Sequence, residues 1–476
     1  MVSSEAAPFA KTGGLADVLG ALPQALAAGG WETAVVLPRY AGVSLDGARR
    51  VWDHLHFTLG SAAVDCSLHE RMERGVRYYF VDCPALYGRP WIYGGPDGAF
   101  PDNHVRFAAL SQASIAIARH LFETPLFHLH DWQSALTAVY LRTQRKLDPM
   151  FQGTKILFTI HNLEHQGRFA AHQFGDLGLD SWLMDSPYLE FHGDVNLMKG
   201  GILFSDAITT VSPHYAVEIQ TPEFGFGLDG MLRANAGRLT GILNGVDYGE
   251  WSPETDQHIA ANYSAADLRG KAECKRDLLR EFSLPEEREA KPLLGIVSRL
   301  ARQKGFDLLG EIAWELLAGD VTLVALGTGE PQYEDLMRGL ARTYPDRVGV
   351  HIGFSNKLAH KIEAGSDLFL MPSLFEPCGL NQMYSLRYGT IPVVRATGGL
   401  DDSVDETTGF KFSGHDPWAL MGKIREALAE YENPEGWRAR MRRAMAKDNS
   451  WNASAARYGE LYESLLGIGS AAAHGH

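Results

Sequence analysis

Short apolar runs alternate with stretches of helical periodicity along almost the whole chain. This alternation limits the fold more than any other feature. The strand-like runs are Thr33–Leu37, Tyr78–Val81, Ile156–Ile160, Ala207–Val211, Leu293–Val297, Val321–Leu326, Leu368–Met371 and Thr390–Val394. Continuous apolar strands, rather than alternating ones, are those buried on both faces, and buried parallel strands need helical crossovers. The pattern therefore predicts an α/β chain with two parallel, doubly wound sheets. At 476 residues the chain exceeds one ordinary core, which also points to two large domains.

The division is expected where Gly, Asp and Pro interrupt the pattern, at Asn244–Pro253. That gives a first domain over 1–245 and a second over 246–450, entered through the polar helical segment Ser264–Glu281 and starting properly at Pro292. Trp451–Leu466 has helical spacing, and the Gly/Ala/Ser/His-rich 467–476 reads as a disordered tail.

Composition excludes several functions. A formal charge of −14 argues against nucleic acid or an anionic membrane as partner, although a local basic pair can still hold a phosphate. No apolar run approaches the length of a membrane span, and residues 1–10 lack the regions of a signal peptide, so a cytoplasmic protein is expected. Four scattered cysteines form neither a metal motif nor a disulfide framework. Gly327-Thr-Gly329-Glu330 fails as a dinucleotide fingerprint, because Gln332 stands at the third glycine. No cofactor is expected. No metal is expected either, since His128, His130 and Asp131 lack a further ligand nearby and no Asp-x-Asp pair occurs.

Glu376 to Gly399 is the richest segment. It supplies a carboxylate at the end of a buried strand, then small residues opening a helix with Leu380, Met383, Tyr384, Leu386 and Arg387. A carboxylate beside a helix N-terminus suits a ligand with hydroxyls and an anionic group. An ordinary strand-to-helix turn is the plainer reading. Gly398 and Gly399 open a second turn after the next strand, and two adjacent strand ends with glycine turns make a crevice. Arg299 and Lys304, after the strand Leu293–Val297, present a planar fork and an ammonium suited to a diphosphate; the alternative is a charged surface loop. Gly13 and Gly14 precede a helix with Leu15, Val18, Leu19, Leu22 and Leu26 on one face, and Lys11 adds a charge. Such a loop admits a phosphate, or is a structural turn. His161 ends another apolar strand beside Asn162, and Asn244 offers an amide or merely a turn.

These segments resemble the bacterial and plant glycogen and starch synthases. The resemblance rests on Lys11-Thr-Gly-Gly-Leu-Ala-Asp, His130-Asp-Trp-Gln, Phe158-Thr-Ile-His-Asn-Leu, Thr210-Val-Ser-Pro, Asn244-Gly-Val-Asp, Ser298-Arg-Leu-Ala-Arg-Gln-Lys-Gly and Glu376-Pro-Cys-Gly-Leu, in order from about Val2 to about Leu466. It implies two Rossmann-like domains facing a central cleft, the GT-B type, with the last helix crossing back to the first domain. It implies glucose transfer from ADP-glucose to the non-reducing end of an α-1,4-glucan with retention of configuration. The alternatives are UDP-glucose or another glucoside product within the same architecture, or a silent glucan-binding protein. By the same resemblance Glu376, Arg299, Lys304 and His161 are catalytic, and Glu5, Lys11, Gly13, Gly14, Asp131, Asn244, Cys378, Gly379 and Leu380 bind substrate. Family members carry more apolar residues before Val2, so a short first strand is expected.

Overall fold

The computed structural model describes residues 1–468. The segment 469–476 of the expected tail lies outside the described residues. The chain divides into two compact units. The first holds Met1–Val211, Ala216–Ile242 and the C-terminal helix Trp451–Leu466, and the second holds Ser212–Tyr215 and Leu243–Ser450.

In the first unit, the strands Leu239–Gly241, Ala207–Thr210, Lys155–Ile160 and Leu126–His130 lie side by side in that order, all parallel. Val2 bridges Leu129 on one side and Val36 on the other, so a single residue continues the sheet into the strand Ala34–Pro38. Ala34–Pro38 pairs in parallel with Val76–Asp82.

Beyond that point the sheet departs from expectation. Val76–Asp82 is joined by an antiparallel hairpin, Arg49–Leu59 and Ala62–Glu73. The hairpin is half exposed, so its charged residues break up the apolar run that marks a buried strand. Its two-residue turn needs glycine at Gly60, where φ is 56° and an added Cβ would press on the Gly175 carbonyl oxygen.

The last helix belongs to the first unit through side chains. Tyr462 hydroxyl bonds His128 Nδ1 at 2.6 Å, and its ring meets Trp31 edge-on at 5.2 Å.

The second unit is a six-stranded, fully parallel sheet. Its order is Val348–Ile352, Thr322–Gly327, Leu293–Val297, Leu368–Met371, Ile391–Arg395, Phe410–Phe412. Successive strands run outward from Leu293–Val297 in one direction and from Leu368–Met371 in the other. The order therefore reverses between those two strands, at Leu294↔Leu368 and Gly295↔Phe369. Loops leaving such a reversal diverge and leave a crevice at the carboxyl ends of the strands.

Both faces of this sheet are covered. Leu294, Ile296, Leu323 and Leu370 pack with Leu309, Ile312, Leu420 and Ile424 on one side. Leu293, Val324 and Phe369 pack with Leu278, Leu279 and Ile362 on the other. Each such side chain contributes about 1.5–3 kcal/mol on burial, so the strand ends at the reversal are held by a core on each face.

Ser212–Tyr215 joins the second unit because the His214 N–H donates to Asp402 at 2.8 Å and its ring lies 3.2 Å from Asp401. Asn244 also lies in the second unit rather than at the end of the first.

Candidate active site

The strand reversal in the second unit brings together two of the expected residues that lie 72 positions apart. Lys304 Nζ donates to Glu376 Oε2 at 2.5 Å. Both side chains are largely buried, and Ser373 hydroxyl donates to the same Glu376 oxygen at 3.2 Å. The two loops are tied by Gln303, whose carbonyl accepts from Leu374 N–H at 2.8 Å and whose amide donates to the Phe375 carbonyl at 3.1 Å. Gly305 lets the first loop approach, since φ there is 80° and a Cβ would overlap the Pro372 carbonyl. Arg299 sits outside this pair. It is exposed and its guanidinium donates to Gln303 Oε1 at 2.8 Å.

The turn after Glu376 is backbone packed on backbone. Gly399 N–H donates to the carbonyls of Glu376 and Pro377, each at 3.1 Å. Gly398 has φ 44°, and a Cβ on it would overlap the Glu376 carbonyl. This is the requirement behind the paired glycines. Gly379 is left-handed at φ 71°, and the helix Asn381–Tyr388 starts with Leu380 as its cap, so its first amide groups have no carbonyl partner within the helix. Gln382 braces the turn through its amide to the carbonyls of Cys378 and Gly379 at 3.0 and 3.1 Å. Cys378 lies against Asn244, and burial pushes its thiol up to about 12, which leaves it a neutral packing group.

The glycine loop of the first unit is built by Glu5. Its buried carboxylate accepts from Thr12 N–H, from Thr12 hydroxyl at 2.8 Å, from Gly13 N–H at 3.2 Å and from Tyr93 hydroxyl. The Glu5 oxygens are engaged by the loop, which they hold in place. Lys11 pairs with Asp17, in the first helical turn, at 2.5 Å and is half exposed. Gly13 is extended at φ −153°, and a Cβ on Gly13 or Gly14 would have no neighbour within 4 Å. Neither backbone strain nor packing within the protein calls for glycine at these two positions.

Three histidines form a chain in the same unit. His128 is held between Tyr462 and Thr159, each at 2.6 Å. His130 Nδ1 meets His161 Nε2 at 3.0 Å. Burial holds His161 down to about 3 and His128 and His130 well below the ordinary imidazole range, so all three are neutral hydrogen-bonding groups. Asp131 stands at the N-cap position of the helix Trp132–Arg142 on a strained backbone at φ 58°, makes no side-chain cap bond there, and accepts from His161 N–H at 2.7 Å. Burial raises its carboxyl to about 7, against the pull of the His161 and Asn162 amides.

These shifts have opposite consequences. The unfolded chain protonates its histidines below about pH 6.5 while the folded one does not, so stability falls as pH drops through that value. For Asp131 the folded state keeps a proton that the unfolded chain releases above about pH 3.9, so stability falls as pH rises from about 4 to 7. Asp131→Asn removes only the second effect. Its melting temperature relative to the unsubstituted protein is expected to be more favourable at pH 8 than at pH 4.5. A difference independent of pH would count against a raised Asp131.

Sequence reasoning missed Tyr93, Thr12, Gln303 and Ser373. Tyr93 and Ser373 lie outside the quoted motifs and Thr12 and Gln303 inside them, and in each case the partner becomes visible only once the loops are placed.

The family described as starch synthase catalytic domain matches residues 1–234, and glycosyl transferases group 1 matches residues 280–444. The glycogen synthase of Koribacter versatilis is 49% identical over 469 residues, covering 97% of this chain and 96% of its own. That of Anaeromyxobacter sp. (strain Fw109-5) is 48% identical over 472 residues, with 98% of each covered. Among solved structures, the catalytic domain of starch synthase IV from Arabidopsis thaliana, bound to ADP and acarbose, matches with a TM-score of 0.89 at 32% identity over 98% of both chains. Sucrose-phosphate synthase from Thermosynechococcus elongatus, at a TM-score of 0.60 and 19% identity, shares the fold. Two Rossmann-like units with these matches define a glycosyltransferase of the GT-B fold. The chain belongs to the glycogen and starch synthase family.

Proposed function

We propose that this protein extends glycogen, transferring glucose from ADP-glucose to the non-reducing end of an α-1,4-glucan with retention of configuration. The observation that carries the reading is the Lys304–Glu376 pair at the strand reversal, with Arg299 on the same loop as Lys304. Charge develops on the departing diphosphate as the glycosidic bond breaks, and fixed cations and amides aimed at it lower the barrier. Lys304, Arg299 and the amides at Gly379 and Leu380 are assigned that task. Glu376 is assigned the positive charge at the reacting sugar carbon, and Cys378 and Asn244 the walls beside it. In the first unit, Lys11 and the amides of Gly13 and Gly14 are assigned to the anionic part of the donor, with Glu5 fixing their loop. His161, being neutral, suits a hydrogen bond to a sugar hydroxyl, and Asp131 orders its backbone.

The substrates are a nucleotide sugar and a glucan, with no cofactor and no metal in the step. A cytoplasmic location fits this role; among the described residues no helix is long and apolar enough to cross a membrane. The donor is tested by assaying ADP- against UDP-glucose with glycogen and digesting the product to establish its linkage. A kcat/KM at least tenfold higher with ADP-glucose and an α-1,4 product are expected. Preference for UDP-glucose, or a small glucoside as product, would overturn the reading.

The glycine loop gives a separate prediction. Because a side chain at Gly14 meets nothing in the protein, Gly14→Val is expected to leave the melting temperature nearly unchanged while weakening ADP binding. Lys11→Ala is expected to weaken donor binding more than glucan binding. Equal loss of both affinities would make the loop merely structural.

A further inference from the structure

The half-exposed hairpin of the first unit carries a cluster that the proposed reaction does not use. His54 and His56 are two residues apart on the strand Arg49–Leu59 and so share a face. Asp65 is paired directly with His56 on the neighbouring strand. Between Trp52 and Leu55 the first strand advances three residues while its partner advances two, from Leu68 to Cys66. That one-residue bulge contains Asp53 and His54. Bulges increase the local twist and re-aim the side chains they carry, and here His54 reaches the same carboxylate as His56.

The geometry is that of a ligand set. His54 Nδ1 lies 3.2 Å from Asp65 Oδ2, and His56 Nδ1 lies 3.3 Å from Asp65 Oδ1. One donor atom from each of the three residues lies within 4.8 Å of the others. The imidazole rings are parallel to within 3°, with centroids 5.7 Å apart. A tetrahedral ion with bonds of about 2.0–2.1 Å to nitrogen and oxygen has ligand-to-ligand edges of about 3.3 Å. Small side-chain rotations would therefore close the set around an ion. All three side chains are exposed, at 69%, 68% and 49%, so an ion reaches them without burial and its remaining positions face water.

We propose that His54, His56 and Asp65 form a surface site for a divalent transition-metal ion of borderline softness, with zinc as the representative. Two imidazoles and one carboxylate suit zinc, nickel or copper(II). They do not suit magnesium or calcium, which take oxygen ligands. The third ligand lies on the other arm of the hairpin, so the sequence alone does not place it beside the pair.

The test titrates the EDTA-treated, desalted full-length protein with zinc chloride in a calorimeter, beside the double variant His54→Gln/His56→Gln and the single variant Asp65→Asn. His474 and His476 remain in every protein, so the difference between the proteins isolates the hairpin. The unsubstituted chain is expected to bind one zinc more than the double variant. Asp65→Asn is expected to weaken that added site about tenfold or more. Zinc should raise the melting temperature of the unsubstituted protein by more than that of the double variant, and EDTA should reverse the rise. Without zinc, all three proteins should melt alike and turn over alike, since none of these residues belongs to the proposed catalytic machinery. Equal zinc stoichiometry and affinity in the unsubstituted and double-variant proteins would overturn the proposal, as would equal binding of magnesium at the same site.

Discussion

Glu376→Gln is expected to lower kcat by about a hundredfold or more while leaving KM for the donor nearly unchanged. The carboxylate is buried and bound by Lys304 and Ser373, and its own backbone carbonyl is fixed by Gly399 N–H. The variant keeps the size and one acceptor oxygen for Lys304 and Ser373, exchanges the other oxygen for a donor, and removes the charge. If that charge matters mainly when positive charge builds at the sugar carbon, the loss falls on the transition state and not on binding. Glu376→Asp should be nearly as damaging, because it withdraws the charge by one methylene from a rigid turn. The competing role is that of a helix cap, replaceable at about 1 kcal/mol of stability and little activity. The structure puts Leu380 at the cap of the helix Asn381–Tyr388, with no side-chain bond there, and sends the Glu376 side chain to Lys304 and Ser373 instead. Steady-state kinetics with a melting curve separate the two. Wild-type turnover with a lowered melting temperature would make Glu376 structural.

How much was legible in the sequence follows from what each element buries. Leu293–Val297 and Leu368–Met371 appear as strands with the bounds that their apolar runs predict, because a strand covered on both faces is built mainly of apolar residues. The hairpin was not legible, since one of its faces meets water and residues such as Arg49, Arg50, Asp53 and His54 disrupt the run. Glycines were legible as turns, but their reasons differ and only coordinates separate them. Gly398 is forced by the Glu376 carbonyl, whereas Gly13 and Gly14 face open space. Glu5, Lys304 and Glu376 were all singled out, whereas Thr12 and Tyr93 were not, because they reach Glu5 only through the fold. The break at Asn244–Pro253 marks a boundary, but a turn signal does not say which side its first residue serves, and Asn244 falls in the second unit.

Lys304→Ala is expected to lower kcat by about 10²–10³, the scale for losing one donor to a developing oxyanion. The pair complicates the measurement in a useful way. Lys304 and Glu376 lie 2.5 Å apart with side chains only 18% and 10% exposed. Removing the ammonium strands a carboxylate in a largely buried place, which costs about 3 kcal/mol of stability at the lower end for such pairs. A loss of activity alone therefore does not distinguish a clamp on the diphosphate from a prop for Glu376. The double variant Lys304→Ala/Glu376→Gln does. With no charge left to strand, its melting temperature should recover most of what Lys304→Ala loses. Its activity should not recover, because both the cation facing the leaving group and the anion facing the sugar are then absent. Arg299→Ala gives the complementary case: Arg299 is exposed and bonded to Gln303, not to Glu376, so it should lose about 10²-fold in kcat with little change in melting temperature. Activity returning with stability in the double variant would reduce Lys304 to a structural partner of Glu376. Undiminished turnover in Arg299→Ala would remove Arg299 from the chemistry and leave Lys304 as the cation of that loop.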